Sequence, residues 1–281
     1  VIKVNADYTN QSHNQIDGSN NRSLAILLTY VIIFFFAGTI VASVILFLYA
    51  NIKNVDPKLL YDLEGNLIKD AELFVGSITN FSVYIIGLVI ILLLAKPFLI
   101  QDLHHSRYNT KKFFIFIGQG ILIYYLGNVI SNILSELIGL TGDSENQKTI
   151  VELLQSKYVV LVLLTTIILA PLVEEIVFRK ALFDLFSRKT KFHPIAIIIF
   201  SGLCFALIHF VIAIFEILID GQGLMAVLSE LIHIIPYFIS GIILGYIYEK
   251  SERNIVVPII IHMLNNILSA VLILLSPELG L

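Results

Sequence analysis

Charge is scarce in this chain. Of its 281 residues, 14% are charged and 57% hydrophobic, with a mean hydropathy of +0.90. A soluble domain carries about a quarter charged residues. The shortage, together with several apolar runs long enough to cross a bilayer, indicates a polytopic membrane protein. Period-two alternation is missing from those runs, which excludes a β-barrel. Helices then remain as the way to satisfy the backbone in lipid. Cysteine is nearly absent: the single Cys204 excludes an intramolecular disulfide and reads as a small buried hydrophobe. Basic residues are not in excess, since the net charge is -3, and nothing points to a nucleic-acid partner. The chain has no internal repeat and no His-Glu-x-x-His zinc motif.

What is present reads as an all-α, polytopic transmembrane helix bundle of about seven spans. Residues 1–23 are polar and rich in Asn and Ser, and are expected to form a disordered cytosolic tail. Spans are expected at about 24–50, 73–95, 113–140, 158–186 and 194–219, in a run ending near Tyr248, and at 255–275. The first run is too long for the apolar core of a signal peptide and is read as a span. Polar loops are expected at 51–72 and 141–157, and Lys96-Pro97 is expected to end the second span. Leu224 to Glu230 reads as a short amphipathic piece before the sixth span, where Gly241 and Gly245 allow close helix approach. Asn128, Ser131, Asn132 and Ser135 share one helical face, expected to look into the bundle. Connections on one side carry eleven Lys and Arg residues and those on the other carry five, which puts the amino end in the cytosol.

Three spans hold polar groups deep in apolar sequence, where acids tend to be paired, inward-facing and functional. The fourth has Glu174, Glu175 and Arg179, just after Pro171. The fifth has Phe205 and His209, and the seventh has His262 and Asn266. Helical rise puts Glu175, His209 and His262 roughly 18, 22 and 10 Å from the ends of their helices on one side, so all can meet in one cavity. Glu175 and Arg179 are four apart and can pair. Glu174 lies about 100° around the helix and has no partner there, so the two acids have different jobs. Pro171 removes a hydrogen bond just before them and favours a kink. Each residue also has an ordinary reading. Glu175 with Arg179 makes a structural ion pair, either histidine can be a packing residue, and Asn266 alone is helix-to-helix glue. Their conjunction is what suggests catalytic parts. Glu216, His233 and the Asn128 stripe form no second such cluster and read as packing or hydration residues.

With these residues named, the chain resembles the CAAX protease and bacteriocin-processing family of intramembrane endopeptidases, also called the Abi family. Its Glu-Glu-xxx-Arg, Phe-xxx-His and His-xxx-Asn motifs stand here as Glu174-Glu175-Ile-Val-Phe-Arg179, Phe205-Ala-Leu-Ile-His209 and His262-Met-Leu-Asn-Asn266. The resemblance implies a protease core at 158–276, with accessory transmembrane helices at 24–157. It implies peptide-bond hydrolysis, with Glu174 as general base, His209 orienting the water, and His262 with Asn266 as the oxyanion hole. Glu175, Arg179 and Phe205 would support them. A modest rotation of the helix would exchange the two glutamates. The expectation is a metal-free site, with zinc at Glu174, His209 and His262 as the alternative. The implied partners are a peptide or protein substrate and the lipid bilayer, in a bacterial plasma membrane. Two other readings are a non-proteolytic bacteriocin self-immunity or adaptor protein of the same fold, and a transporter using these groups as a proton relay.

Overall fold

The computed structural model describes residues 21–279 apart from residues 64, 109, 141, 190 and 191. The helices run α1 (Asn21–Lys53), α2 (Lys69–Tyr108), α3 (Thr110–Leu137), α4 (Glu145–Leu154) and α5 (Val159–Ser187). Then come α6 (Pro194–Ile208), α7 (Val211–Ile219), α8 (Leu224–Ile232), α9 (Ile234–Lys250) and α10 (Val256–Leu279). The fold is an all-α polytopic bundle. Among the described residues six helices are long and apolar enough to span a membrane, taking α8 and α9 together, or seven if the bent pair α6–α7 is one span.

The central element is α5. In its most apolar stretch 44% of the residues are buried, against 11% for α1. Val173, Ile176, Val177 and Phe178 pack with Ile26 and Tyr30 of α1, Leu88 and Ile91 of α2, and Phe205 of α6. Across from them, α6 meets α9 where two glycines touch: a Cβ on Gly241 would sit 2.8 Å from the Gly202 Cα. Only hydrogen fits on either side, so the backbones approach directly. Gly241→Val is therefore expected to cost about 1–3 kcal/mol through forced separation. A lowered unfolding midpoint in detergent would show it; a midpoint equal to wild type would mean that the crossing is not under such constraint.

Polar clamps hold the two ends of the bundle. At one end Asp70 of α2 accepts from Tyr49 of α1 at 2.6 Å and from Lys157, just before α5. That carboxylate raises the pKa of the Lys157 ammonium. At the other end Asp102 of α2 lies 3.6 Å from Lys180 Nζ of α5 and accepts from the Ile255 N–H at 3.2 Å, at the start of α10.

Several expected boundaries need correction. Residues 21–23, expected in the tail, are already helical, and residues 1–20 of that tail lie outside the described residues. The expected loop at 51–72 contains a 3-10 turn at Pro57–Leu60, N-capped by Asp56, before α2 begins at Lys69. Lys96-Pro97 does not end the second span: α2 continues to Tyr108 with Pro97 inside it. Buried Phe98 and the Asp102 clamp hold the following turns helical and override the lost N–H. The expected loop at 141–157 contains α4, whose Ser144 cap accepts from Gln147 N–H at 3.2 Å. On α3, Ser131 is buried but Asn132 is exposed, so the polar stripe does not face inward as a whole.

Candidate active site

Glu174 and Glu175 sit in a short α-helical stretch, Ala170–Glu175, between two π-helical turns, Leu164–Leu169 and Ile176–Ala181. Pro171 accounts for the first of these. The Ala170 N–H goes to the Thr165 carbonyl, and Pro171 has no N–H to offer. The Thr166 carbonyl is thereby left without a donor from its own helix. Asn266 of α10 supplies one: its Nδ2 donates to Thr166 O at 2.8 Å. The kink expected at Pro171 thus takes the form of a widened turn, a device frequent at functional sites, with a cross-helix hydrogen bond on the freed carbonyl.

The two acids converge on one imidazole. His262 Nδ1 lies 2.9 Å from Glu175 Oε1, and its Nε2 lies 4.0 Å from Glu174 Oε2. A carboxylate only accepts, so the short contact puts the proton on Nδ1. Glu175 Oε2 is 3.1 Å from Arg179 Nε, and neither side chain has any solvent exposure. Arg179 Nη2 also donates to the Gly241 carbonyl at 3.3 Å. The close glycine crossing is what brings that carbonyl within reach. The guanidinium stacks on Phe205, 4.6 Å from the ring centroid.

His209 stands at the break between α6 and α7, which bend by 44°. Its backbone N–H bonds to Ala206 O at 3.1 Å rather than to Phe205 O. Its own ring Nδ1 takes the freed Phe205 carbonyl at 2.8 Å. A carbonyl can only accept, so Nδ1 carries the proton and Nε2 is left bare in the neutral ring. The imidazole both closes the helix break and fixes its own tautomer. Phe205 lies between the two histidines, with ring centroids 4.9 Å from His209 and 6.0 Å from His262.

All seven residues singled out in the sequence therefore lie in one region of the bundle. Glu175, Arg179 and His262 are in direct contact, and Phe205 abuts Arg179 and both imidazoles. Among the described residues no group of three or more His, Cys, Asp or Glu side chains is arranged to hold a metal ion. The zinc alternative needs Glu174, His209 and His262 to converge in that way.

Four neighbours were not singled out as site residues in the sequence. Tyr84 of α2 donates to Glu174 Oε1 at 3.1 Å, so Glu174 does have a partner, on another helix. Tyr237 of α9 stacks against His209 at 4.6 Å, and its hydroxyl accepts from Asn146 of α4 at 3.1 Å. Asn265 donates to Asn266 Oδ1 at 3.3 Å. Asn128 of α3, read as packing, donates in turn to Asn265 at 3.2 Å. No spacing rule links α2, α3 or α9 to α5, and a tyrosine in an apolar helix is ordinary, so only Asn128 and Asn265, as amides in spans, gave any signal.

The fold and this centre define a class: a polytopic helical membrane protein with a buried carboxylate–imidazole–guanidinium cluster. Within that class, residues 156–268 match the family profile described as "Type II CAAX prenyl endopeptidase Rce1-like", so this part of the chain is similar to the CAAX protease and bacteriocin-processing family of membrane proteases. It is 25% identical to the proposed membrane peptidase YdiL of Bacillus subtilis over 86% of this chain and 84% of that one. It is 32% identical to the membrane-embedded CAAX protease MroQ of Staphylococcus aureus, over 56% of each. An uncharacterized protein of Mycoplasma capricolum is 31% identical over 58% of this chain, a match that spans only 44% of that protein's length. No solved structure matches the chain.

Proposed function

We propose that the protein is an intramembrane endopeptidase in which Glu174 is the general base. The observation that carries this reading is the contact of one imidazole with two acids in different states of engagement. Glu175 is committed to Arg179 and to His262 Nδ1, whereas Glu174 keeps Oε2 facing His262 Nε2 across 4.0 Å. That gap is too long for a direct hydrogen bond and leaves room for a water on Glu174 Oε2. Glu174 takes a proton from this water as its oxygen attacks the peptide carbonyl carbon, and the bare Nε2 of His209 helps to orient it. The C–N bond then breaks, and the proton passes from Glu174 to the leaving amine.

The oxyanion would be met by His262 Nε2–H and by the second N–H of Asn266. Donation from Nε2 requires both ring nitrogens to carry protons. Asn266 gives one N–H to Thr166 O, and Asn265 on its Oδ1 fixes which way the amide points. Such preorganised donors are each typically worth about 10²–10³ in rate. In this reading residues 158–276 carry the catalytic motifs, 24–157 are accessory, the Lys and Arg asymmetry sets the amino end in the cytosol, and the membrane is a bacterial plasma membrane.

The test compares membrane and secreted peptides from cells carrying the wild type with those carrying Glu174→Ala. A precursor should accumulate in the variant and its fragments should disappear. Identical peptide pools would overturn the assignment, as would equal cleavage of that precursor by the two purified proteins.

A further inference from the structure

The residues that match the family begin at 156, yet one contact on Glu174 comes from far outside them. The Tyr84 hydroxyl, on α2, donates to Glu174 Oε1 at 3.1 Å. Among the described residues it is the hydrogen-bond donor on this carboxylate. Resting on the reading of Glu174 as the base, we infer that Tyr84 is a positioning residue, which holds Oε1 and so leaves Oε2 as the oxygen that takes the proton.

Three observations carry this. The first is geometric. With Oε1 engaged by Tyr84, the free oxygen is the one 4.0 Å from His262 Nε2. Rotation about the terminal torsion of a glutamate is broad and roughly two-fold, so without a donor the two oxygens would exchange and the carboxylate would swing away from the imidazole. The second is that Tyr84 is itself held. Its ring meets Phe34 of α1 edge-on at 4.7 Å, and Phe34 stacks on Tyr30 at 4.5 Å. Tyr30 then meets Phe178 of α5 at 5.6 Å, and Phe178 meets Phe205 at 5.8 Å. An aromatic belt from α1 and α2 thus closes back onto the two helices that carry Arg179 and His209. The third is depth. Tyr84 lies fifteen residues along α2 from Lys69, roughly 22 Å along the helix axis. There the phenol has little water to bond with, and the carboxylate is its partner.

Tyr84 acts through Glu174 and touches no reacting atom in this scheme. Its effect belongs in the chemical step and not in substrate binding. Hydrogen bonds to a charged group correspond to about ten- to a hundredfold in a rate constant. The experiment uses the full-length protein in liposomes and the precursor that accumulates in Glu174→Ala cells, labelled with a fluorophore and quencher. Tyr84→Phe keeps the ring and its packing and removes only the hydroxyl. The expected result is kcat lowered about ten- to a hundredfold, KM within about twofold of wild type, and a protein that stays folded at the assay temperature.

An unchanged kcat for Tyr84→Phe beside an inactive Glu174→Ala would overturn the inference and leave the protease reading standing. A raised KM at constant kcat would also overturn it, by making Tyr84 a substrate contact. So would a loss of activity matched by unfolding at the assay temperature, by making it structural. Wild-type cleavage by Glu174→Ala would remove the base itself, and the inference with it.

Discussion

Glu174→Gln is expected to lower kcat by about 10²–10⁴-fold, the contribution of a positioned general base, without loss of folding. The amide has almost the same shape. Its carbonyl oxygen can still accept from Tyr84, and Glu175, Arg179 and His262 keep one another. What is lost is the oxygen that takes the proton. Initial rates on the accumulated precursor, together with an unfolding midpoint in the same detergent, separate the two effects. Glu175→Gln gives the contrast. It removes the carboxylate that balances a fully buried Arg179, so its principal effect is a lower midpoint. If Glu175→Gln folded well and lost all turnover while Glu174→Gln remained active, the roles of the two acids would be reversed.

Arg179→Met is expected to destabilise the protein by about 3–5 kcal/mol, the usual cost of removing one partner of a buried ion pair. Methionine can occupy the channel along Phe205, so lost volume is a minor part. The larger part is Glu175, which has no solvent exposure and would keep its charge with only the His262 imidazole to balance it. The Gly241 carbonyl would also lose the guanidinium as a donor. The double variant Glu175→Gln/Arg179→Met removes both charges and should recover a substantial part of the lost stability. Midpoints for the two singles and the double give the coupling directly. An Arg179→Met protein as stable as wild type would mean that Glu175 is neutral in the fold.

How much of this was legible in the sequence follows from the range over which each force acts. Long apolar runs specify spans because a bilayer offers the backbone no other partner, so the α5 and α10 spans fell within a few residues of expectation. The i,i+4 relation put Glu175 beside Arg179, since helix geometry alone brings them together. Pro97 was misread for the opposite reason. A proline weakens a helix locally, but Phe98 and Asp102 are anchored by α5 and α10, and those contacts are hundreds of atoms away along the chain. The bend at His209 was likewise hidden within a continuous apolar run. It depends on an imidazole taking the carbonyl that its own backbone N–H gave up.

The reading of Glu174 as unpaired shows the same limit. On its own helix it has no partner, which is what periodicity can report. Its partner Tyr84 is ninety residues earlier, in a helix with no chemical mark of its own. The sequence alone therefore determined the all-helical membrane class, the approximate spans and the polar residues that come together inside the bundle, because these follow from hydrophobicity, helical period and motif. The tertiary structure alone decided that His262 faces both acids, that Tyr84 engages one oxygen of Glu174, and that Asn266 supplies the hydrogen bond missing at Pro171. Those are contacts between helices, and their distances are set by the packing of α2 and α10 against α5, which no local rule along a single helix can fix.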